Sequence, residues 1–197
     1  MLGVLANVLI DDCSDSDLVA ECLKGDDRTC FRHLYQRYQH KVRSTLYQLC
    51  GSSLLDDLTQ EVFLRVWKGL PKLKQQDNFS TWLYRITWNV AYDQRKTFAK
   101  QHSFDSKLKT QAEMNQVVTK DHTSDLMQLH YQDLVQRGLE QLSFEHRSVL
   151  VLHDLEDIPQ KEVAQILGLP AGTVKSRVFY ARNAVRQFLQ KEGVREL

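Results

Sequence analysis

The stretch that decides the fold is residues 160–182, QKEVAQILGLPAGTVKSRVFYAR. Apolar side chains recur at three- and four-residue steps in Gln160–Leu167 and again from Ala171 onward, and this spacing predicts two amphipathic helices. Between them lies a three-residue turn that contains glycine, Gly168-Leu169-Pro170. Two helices joined by so short a turn form a helix-turn-helix unit, the arrangement that places a helix in the major groove of DNA.

The second of these helices has two unlike faces. Val174, Val178, Ala181 and Val185 form its buried stripe, and small Ala164 and Gly168 are expected to let the two helices approach closely. Residues 168–191 contain five basic residues and no acidic one, which suits DNA better than it suits a plain solvated surface. The predicted DNA-reading residues are Thr173, Lys175, Ser176, Arg177, Phe179, Tyr180 and Arg182.

Composition extends the helical prediction to the whole chain. The 197 residues include only 8 Gly and 3 Pro, and no stretch alternates apolar and polar residues as half-buried strands do. We therefore expect an all-α protein. The net charge of +1 indicates no polyanionic partner by itself, but the first thirty residues hold seven acidic and two basic residues, opposite in sign to the basic segment near the other end.

Helical blocks divide the chain into two small domains. The first blocks begin after Ser14 or Ser16 and near Arg28, and a longer one, predicted to begin at Ser80 or Thr81 as N-cap, runs to about residue 99. Residues 101–130 are polar and weakly periodic, which is typical of a flexible linker. The predicted division is an extension over 1–16, a helical domain over 17–100, the linker over 101–130 and the helix-turn-helix domain over 131–197.

The helix after Phe79 carries aromatic residues interleaved with cations on its outward side. Rings stack on unpaired bases while cations meet phosphates, so this row fits single-stranded nucleic acid. The alternative is that Trp88 and Tyr92 cover a neighbouring helix. The predicted strand-binding residues, including the loop before the helix, are Lys72, Lys74, Asp77, Asn78, Arg85, Trp88, Asn89, Tyr92, Arg95 and Lys96.

The helix over residues 54–70 has an outward side of mixed charge with an exposed leucine. Such a side would repel DNA locally and is typical of a protein-docking surface, although a solvated helix face explains the same periodicity. The residues concerned are Asp57, Gln60, Glu61, Leu64, Arg65 and Lys68.

Catalytic and metal-binding patterns are missing from the sequence. The four cysteines form no CxxC pair and have no histidine at ligand spacing, which favours reduced thiols in a cytoplasmic protein with neither metal nor cofactor. The apolar opening MLGVLANVLI is ten residues long and lacks a basic leader, so we expect neither a signal peptide nor a membrane insertion. A metal-dependent hydrolase would need acidic metal ligands, and no motif supports such an enzyme. The two candidate ligand sets are Asp56, Asp57 and Glu61, or Asp154, Glu156 and Asp157. We therefore do not expect an enzyme.

Three segments together resemble a known family. DDLTQEVFLRVWKGLPKL (56–73), FSTWLYRITWNVAYDQRK (79–96) and LSFEHRSVLVLHDLEDIPQKEVAQILGLPAGTVKSRVFYAR (142–182) are similar, in this order, to the extracytoplasmic-function (ECF) group of bacterial sigma factors. The resemblance implies a protein that binds core RNA polymerase and directs it to promoters. It implies that the mixed-charge helix docks on polymerase, that the aromatic row handles the −10 element, and that the last helix reads the −35 element. An anti-sigma factor is a possible further partner.

Two other classes compete with this interpretation. A helix-turn-helix regulator with an unrelated sensory domain would bind duplex DNA without polymerase. An anti-sigma or adaptor protein would be helical too, but the His/Cys zinc spacing common in anti-sigma factors is absent from the sequence.

Overall fold

The computed structural model describes residues 13–24, 28–73, 78–105 and 123–194, and every regular element within these ranges is helical. The elements, in chain order, are α1 (Asp15–Lys24), α2 (Arg28–Cys50), α3 (Leu55–Gly69), a 3-10 turn (Leu70–Lys72), α4 (Phe79–Asp105), α5 (Thr123–Glu140), α6 (Phe144–Leu150), a π turn (Val151–Leu155), α7 (Gln160–Leu167) and α8 (Ala171–Lys191). This confirms the all-α prediction.

The N-terminal region consists of α1–α4. Helix α2 packs against α1, α3 and α4, and its inward row is buried at Leu34, Val42 and Leu46. The apolar row of α3, Leu58, Val62 and Val66, is buried, and so is Leu70 in the 3-10 turn that follows. Burial of one apolar stripe per helix against its neighbours is what holds such a bundle together.

The sequence predicted the start of α1 correctly and the start of α4 incorrectly. Ser14 Oγ accepts a hydrogen bond from the Asp17 N–H at 3.2 Å, so Ser14, one of the two predicted caps, precedes α1. The cap predicted for α4 was wrong, because this helix already begins at Phe79 and Ser80 and Thr81 lie in its first turn. The Thr81 hydroxyl instead donates to Glu162 Oε2 at 3.0 Å.

The C-terminal region consists of α5–α8 and contains the predicted helix-turn-helix in α7 and α8. Gly168 ends α7 with φ +65°, a left-handed conformation that glycine adopts without steric cost. The expectation that Gly168 is small to let the helices approach was wrong, because a Cβ at this position would meet no atom within 4 Å. The turn needs this glycine for its backbone angle.

The two regions share one another's apolar cores. Tyr84 of α4 is buried in the cluster formed by Val149, Leu152 and Val163 of the C-terminal region. In the other direction, Phe144 belongs to the cluster built mainly from α1–α4. The predicted linker over 101–130 lies between these regions in sequence, but both of its ends are helical. Helix α4 extends to Asp105 and α5 begins at Thr123, while residues 106–122 lie outside the described part of the chain.

Candidate nucleic-acid interface

Helix α8 presents an exposed aromatic and basic surface. The Phe179 and Tyr180 side chains are 61% and 62% exposed, with ring centroids 5.6 Å apart. Lys175 and Ser176 are exposed beside them, and Thr173 and Arg177 are half-buried. Val174, Val178 and Ala181 are buried on the opposite side, as predicted. Cations, a hydroxyl and apolar rings together can contact phosphates, base edges and thymine methyl groups.

Arg182, one of the predicted DNA-reading residues of α8, forms an ion pair with an acidic side chain of the π turn. Its Nε and Nη2 donate to the two carboxylate oxygens of Asp154 at 2.7 and 2.6 Å. These bonds raise the pKa of Arg182 further above its ordinary value. The geometry is bidentate, which is the strongest arrangement of this ion pair, so Arg182 ties α8 to the π turn in this structure.

Helix α4 carries the predicted strand-binding row, and the side chains of this row differ in their exposure to solvent. Arg85, Asn89, Tyr92 and Lys96 are exposed, whereas Trp88 and Arg95 are half-buried. In the loop before the helix, Lys72 and Asn78 are exposed, while Lys74 and Asp77 lie outside the described residues.

Trp88 makes the contact with neighbouring helices that the sequence left open as an alternative. Its indole N–H donates to Ser148 Oγ at 3.0 Å, and its ring stacks against Tyr92 and against Phe144 at centroid distances of 5.3 and 6.2 Å, with those two rings 6.0 Å from each other. The Arg95 guanidinium lies 5.1 Å from the centre of the Phe144 ring. In this arrangement, part of the aromatic row therefore packs on the C-terminal region.

Helices α2 and α3 form an open groove at the predicted docking face. Asp57, Gln60, Leu64 and Lys68 are exposed, and Arg65 bonds to Glu61 at 2.8 Å and to Asp93 of α4 at 3.1 Å. The groove has a volume of about 760 Å³, with aromatic walls and a polar rim. It is lined by Phe31, Tyr35, Gln39, His40, Arg43, Asp56, Asp57, Thr59, Gln60, Phe63, Leu64 and Trp67.

The acidic residues weighed for a metal site have other partners. This holds for four of the six: Asp56 is paired with Arg43, Glu61 with Arg65, Asp154 with Arg182, and Glu156 accepts from two hydroxyls. Where the structure describes the chain, no three His, Cys, Asp or Glu side chains come together as a metal site.

Cys30 and Cys50 are free thiols. Cys30 is buried, and burial raises the pKa of Cys50 to about 11, an effect that the nearby Arg95 and Arg147 only partly oppose. Among the described helices, none is long and apolar enough to span a membrane.

Sequence reasoning missed Tyr84, Arg147 and Glu156, which join the two regions. Arg147 offered one signal, because it falls at helical spacing with Phe144 and Val151 and so occupies an apolar face. A cation on an apolar helix face indicates a polar partner inside the protein. The linear pattern held no comparable signal for Tyr84 or Glu156, since their contact joins residues 72 positions apart.

The geometry defines the class of protein: an all-helical, two-region protein with an exposed aromatic and basic recognition helix in a helix-turn-helix unit. Two family models match the chain, Sigma-70 region 2 over residues 34–100 and Sigma-70, region 4 over residues 138–187, and together they cover more than half of it. The chain belongs to the sigma-70 family, in its ECF group.

Individual relatives match along nearly the whole chain. The ECF RNA polymerase sigma-E factor of Escherichia coli (strain K12) is 28% identical over 187 residues, covering 91% of this chain and 96% of the relative. The protein of the same description from Haemophilus influenzae is 27% identical over 190 residues, with 92% and 98% covered.

Two solved structures have the same fold. CnrH, in complex with the cytosolic domain of CnrY, aligns with a TM-score of 0.65 at 22% identity, covering 90% of this chain and 97% of that one. The sigma factor RpoE from Bartonella quintana, in complex with the anti-sigma factor NepR, aligns with a TM-score of 0.66 at 21% identity, covering 81% and 96%.

Proposed function

We propose that the protein binds core RNA polymerase and directs it to promoters, acting in the cytoplasm where the polymerase works. One observation carries this proposal: the two sigma-70 regions occur in one chain, and the second exposes the side chains of its recognition helix. The names of the relatives and the bound anti-sigma factor of the Bartonella structure support the same partners, including an anti-sigma factor.

Within this function, each predicted surface has its own role. The exposed side chains of α8, centred on Lys175, Ser176 and Phe179, read the −35 element in the major groove. The row Arg85–Lys96 on α4, together with the loop at residues 72–78, binds the melted −10 strand. The outward side of α3, centred on Gln60, Glu61 and Leu64, docks on polymerase. We place the boundary between the two domains between α4 and α5, within the predicted linker over 101–130, so that the −10-binding row and the −35-reading helix belong to different domains.

The test is transcription in vitro with purified core polymerase and genomic DNA from the source organism, with sequencing of transcript 5′ ends. We expect transcripts from a small set of start sites that share motifs near −35 and −10. A polymerase that gains no start sites when the protein is added would overturn the proposal. Polymerase-independent binding to duplex sites would favour the competing helix-turn-helix regulator.

A further inference from the structure

Asp154 binds one edge of the Arg182 guanidinium and thereby joins the π turn to the recognition helix α8. Its Oδ2 accepts from Arg182 Nε at 2.7 Å, and its Oδ1 accepts from Nη2 at 2.6 Å. Nε and Nη2 lie side by side in the rigid guanidinium fork, so the pairing occupies that edge alone. The Nη1 donors and the second Nη2 donor are not used by Asp154 and point away from it.

The π turn holds the Asp154 carboxylate on a rigid piece of backbone. The Glu156 N–H donates to Val151 O at 3.0 Å, and the Ile158 N–H donates to Leu152 O at 3.0 Å. Val151 and Leu152 are fully buried, which fixes the turn to the core of the region. An arginine bonded to both oxygens of this carboxylate is therefore held in one orientation.

Arg182 is the outer member of the pair. Its side chain is 53% exposed, whereas that of Asp154 is 23% exposed. The cation therefore lies on the solvent side, and an approaching anion meets the guanidinium before it meets the carboxylate.

Arg182 lies at the margin of the recognition face of α8. It follows Phe179 by three residues and Lys175 by seven, a spacing that places the three side chains on one side of the helix. It also directly follows Ala181, which is fully buried, so this side borders the packed part of α8. When a helix lies in the major groove, its central side chains approach base edges and its marginal ones approach the sugar-phosphate backbone. The acceptor that Arg182 would meet there is a phosphate oxygen.

Asp154 has two opposing effects on the binding of a phosphate. Its negative charge repels the phosphate, whereas its hydrogen bonds orient Arg182 before DNA arrives. The repulsion is reduced because Arg182 compensates the charge at hydrogen-bond distance. The orienting effect is not reduced, because an unpaired arginine side chain has many rotamers and loses them on binding. The balance favours orientation.

We propose that Asp154 is a positioning residue for promoter binding, which presents Arg182 to one phosphate of the −35 duplex at the margin of the major groove. The inference rests on the proposed function of α8. Arg182 then adds affinity and fixes the register of α8 on DNA without contributing sequence preference.

A set of substitutions separates positioning from a general effect of charge. Asp154→Ala removes the carboxylate, and Asp154→Glu is the conservative variant that keeps it. Arg182→Ala removes the guanidinium, alone and together with Asp154→Ala. Asp133→Ala is the matched control, because it also removes a carboxylate that faces an arginine, in this case Arg137 of α5 at 3.8 Å.

The first measurement is the affinity of the holoenzyme for duplex promoter DNA. The holoenzyme is assembled from core polymerase and the full chain, and the promoters are those that the transcription test identifies. Fluorescence anisotropy at a temperature too low for strand opening reports the affinity. Asp154→Ala should bind roughly threefold to tenfold more weakly than the wild type, the cost of ordering one long side chain on binding. Asp154→Glu should recover most of this loss, and Asp133→Ala should bind as the wild type does.

The second measurement locates the phosphate. Neutral methylphosphonate groups replace the phosphates of the −35 duplex one at a time, and the affinity of the holoenzyme is measured for each duplex. We expect one position at which neutralisation weakens binding of the wild type severalfold and leaves that of Arg182→Ala unchanged. The salt dependence of binding by Arg182→Ala should also fall by about one phosphate contact.

The double variant shows whether Asp154 acts through Arg182. Adding Asp154→Ala to Arg182→Ala should cause no further loss of affinity, because no guanidinium is left to orient. Thermal unfolding of the single variants should change little, since the pair is partly exposed. If Asp154→Ala fails to fold, Asp154→Asn takes its place in the same cycle, because it keeps the size of the side chain and removes the charge.

Wild-type or tighter binding by Asp154→Ala would overturn the positioning role, and so would an equal loss in the presence and absence of Arg182. Changed start sites in Arg182→Ala would overturn the phosphate contact, because such a contact carries no sequence information. These results leave the proposed function intact as long as the wild-type holoenzyme finds start sites. If the wild type finds none, the proposed function itself fails.

Discussion

Trp88 on α4 and Ser148 on α6 are 60 residues apart in sequence and are joined by a 3.0 Å hydrogen bond from the indole N–H to the serine hydroxyl. This bond brings the predicted strand-binding row into contact with the helix that precedes the helix-turn-helix. The same indole side chain is one of those that, in the proposed function, bind the melted −10 strand.

Trp88→Ala should affect promoter opening more than stability. Because Trp88 is only half-buried, its removal should lower the free energy of unfolding by less than the roughly 3–5 kcal/mol typical of a fully buried aromatic residue. Chemical denaturation measures this change. Open-complex formation on ordinary promoters should fall, since stacking of one base contributes roughly 1–3 kcal/mol. Tyr92→Ala should behave likewise.

A pre-melted promoter is the control for the Trp88 and Tyr92 variants. It should restore most of their activity, because melting is the step they impair. Unfolding at ordinary temperature with no selective melting defect would assign the two rings to packing alone.

Glu61→Lys should weaken binding to core polymerase. The substitution reverses a charge on the outward side of α3 and breaks the 2.8 Å bond to Arg65. Glu21→Lys, on the exposed side of α1, makes the same charge change away from the groove and should bind as the wild type does. Biolayer interferometry against immobilised core polymerase measures both; equal affinities would remove Glu61 from the docking surface.

Arg177→Ala and Lys175→Ala should impair DNA binding in different ways. Loss of a base-edge contact by Arg177 should cost roughly 1–3 kcal/mol and relax specificity at one −35 position. Loss of a phosphate contact by Lys175 should weaken binding to all DNA sequences alike and reduce the salt dependence of that binding. Binding to a −35 library at several salt concentrations separates the two, and wild-type profiles in both variants would contradict this assignment of α8.

Gly69→Ala should destabilise the N-terminal region although alanine is the better helix former. A Cβ at Gly69 would lie 2.8 Å from a ring atom of Trp82, so α3 and α4 would have to shift. Gly172→Ala is the matched control, because a Cβ there meets nothing within 4 Å and should be neutral or stabilising by up to about 1 kcal/mol. Thermal unfolding of both variants measures the contrast; a Gly69→Ala protein as stable as Gly172→Ala would contradict the close approach.

Cys50 should resist alkylation at neutral pH. Burial raises the pKa of its thiol from an ordinary value of 9.0 to about 11, so the reactive thiolate is scarce in the folded protein. The contribution of this raised pKa to the free energy of unfolding is fully present below about pH 9 and is lost as the pH rises towards 11. Iodoacetamide labelling followed by peptide mass spectrometry tests this, with urea-unfolded protein as the reference; equal rates in both states would refute it.

Local sequence pattern was sufficient to predict the helices and their inward faces. Apolar side chains at helical spacing must be buried somewhere, so the stripe from Val174 to Ala181 and the row from Leu58 to Leu70 could be predicted from local pattern alone. The turn at Gly168 and the exposed surface of α8 follow from the same reasoning. The reason for Gly168 was misjudged, because a backbone angle is not visible in a pattern of side chains, and the start of α4 was placed one to two residues late.

The contact between the two regions could not be predicted from local pattern. The bonds of Glu156 to Thr45 and Tyr84 join residues 111 and 72 positions apart, and no periodicity within one helix encodes such pairs. Trp88 illustrates the same limit, since an aromatic residue among cations suits both a DNA base and a neighbouring ring. Helix periodicity depends on nearest neighbours in the chain, whereas the choice between these partners depends on which surfaces come together in space.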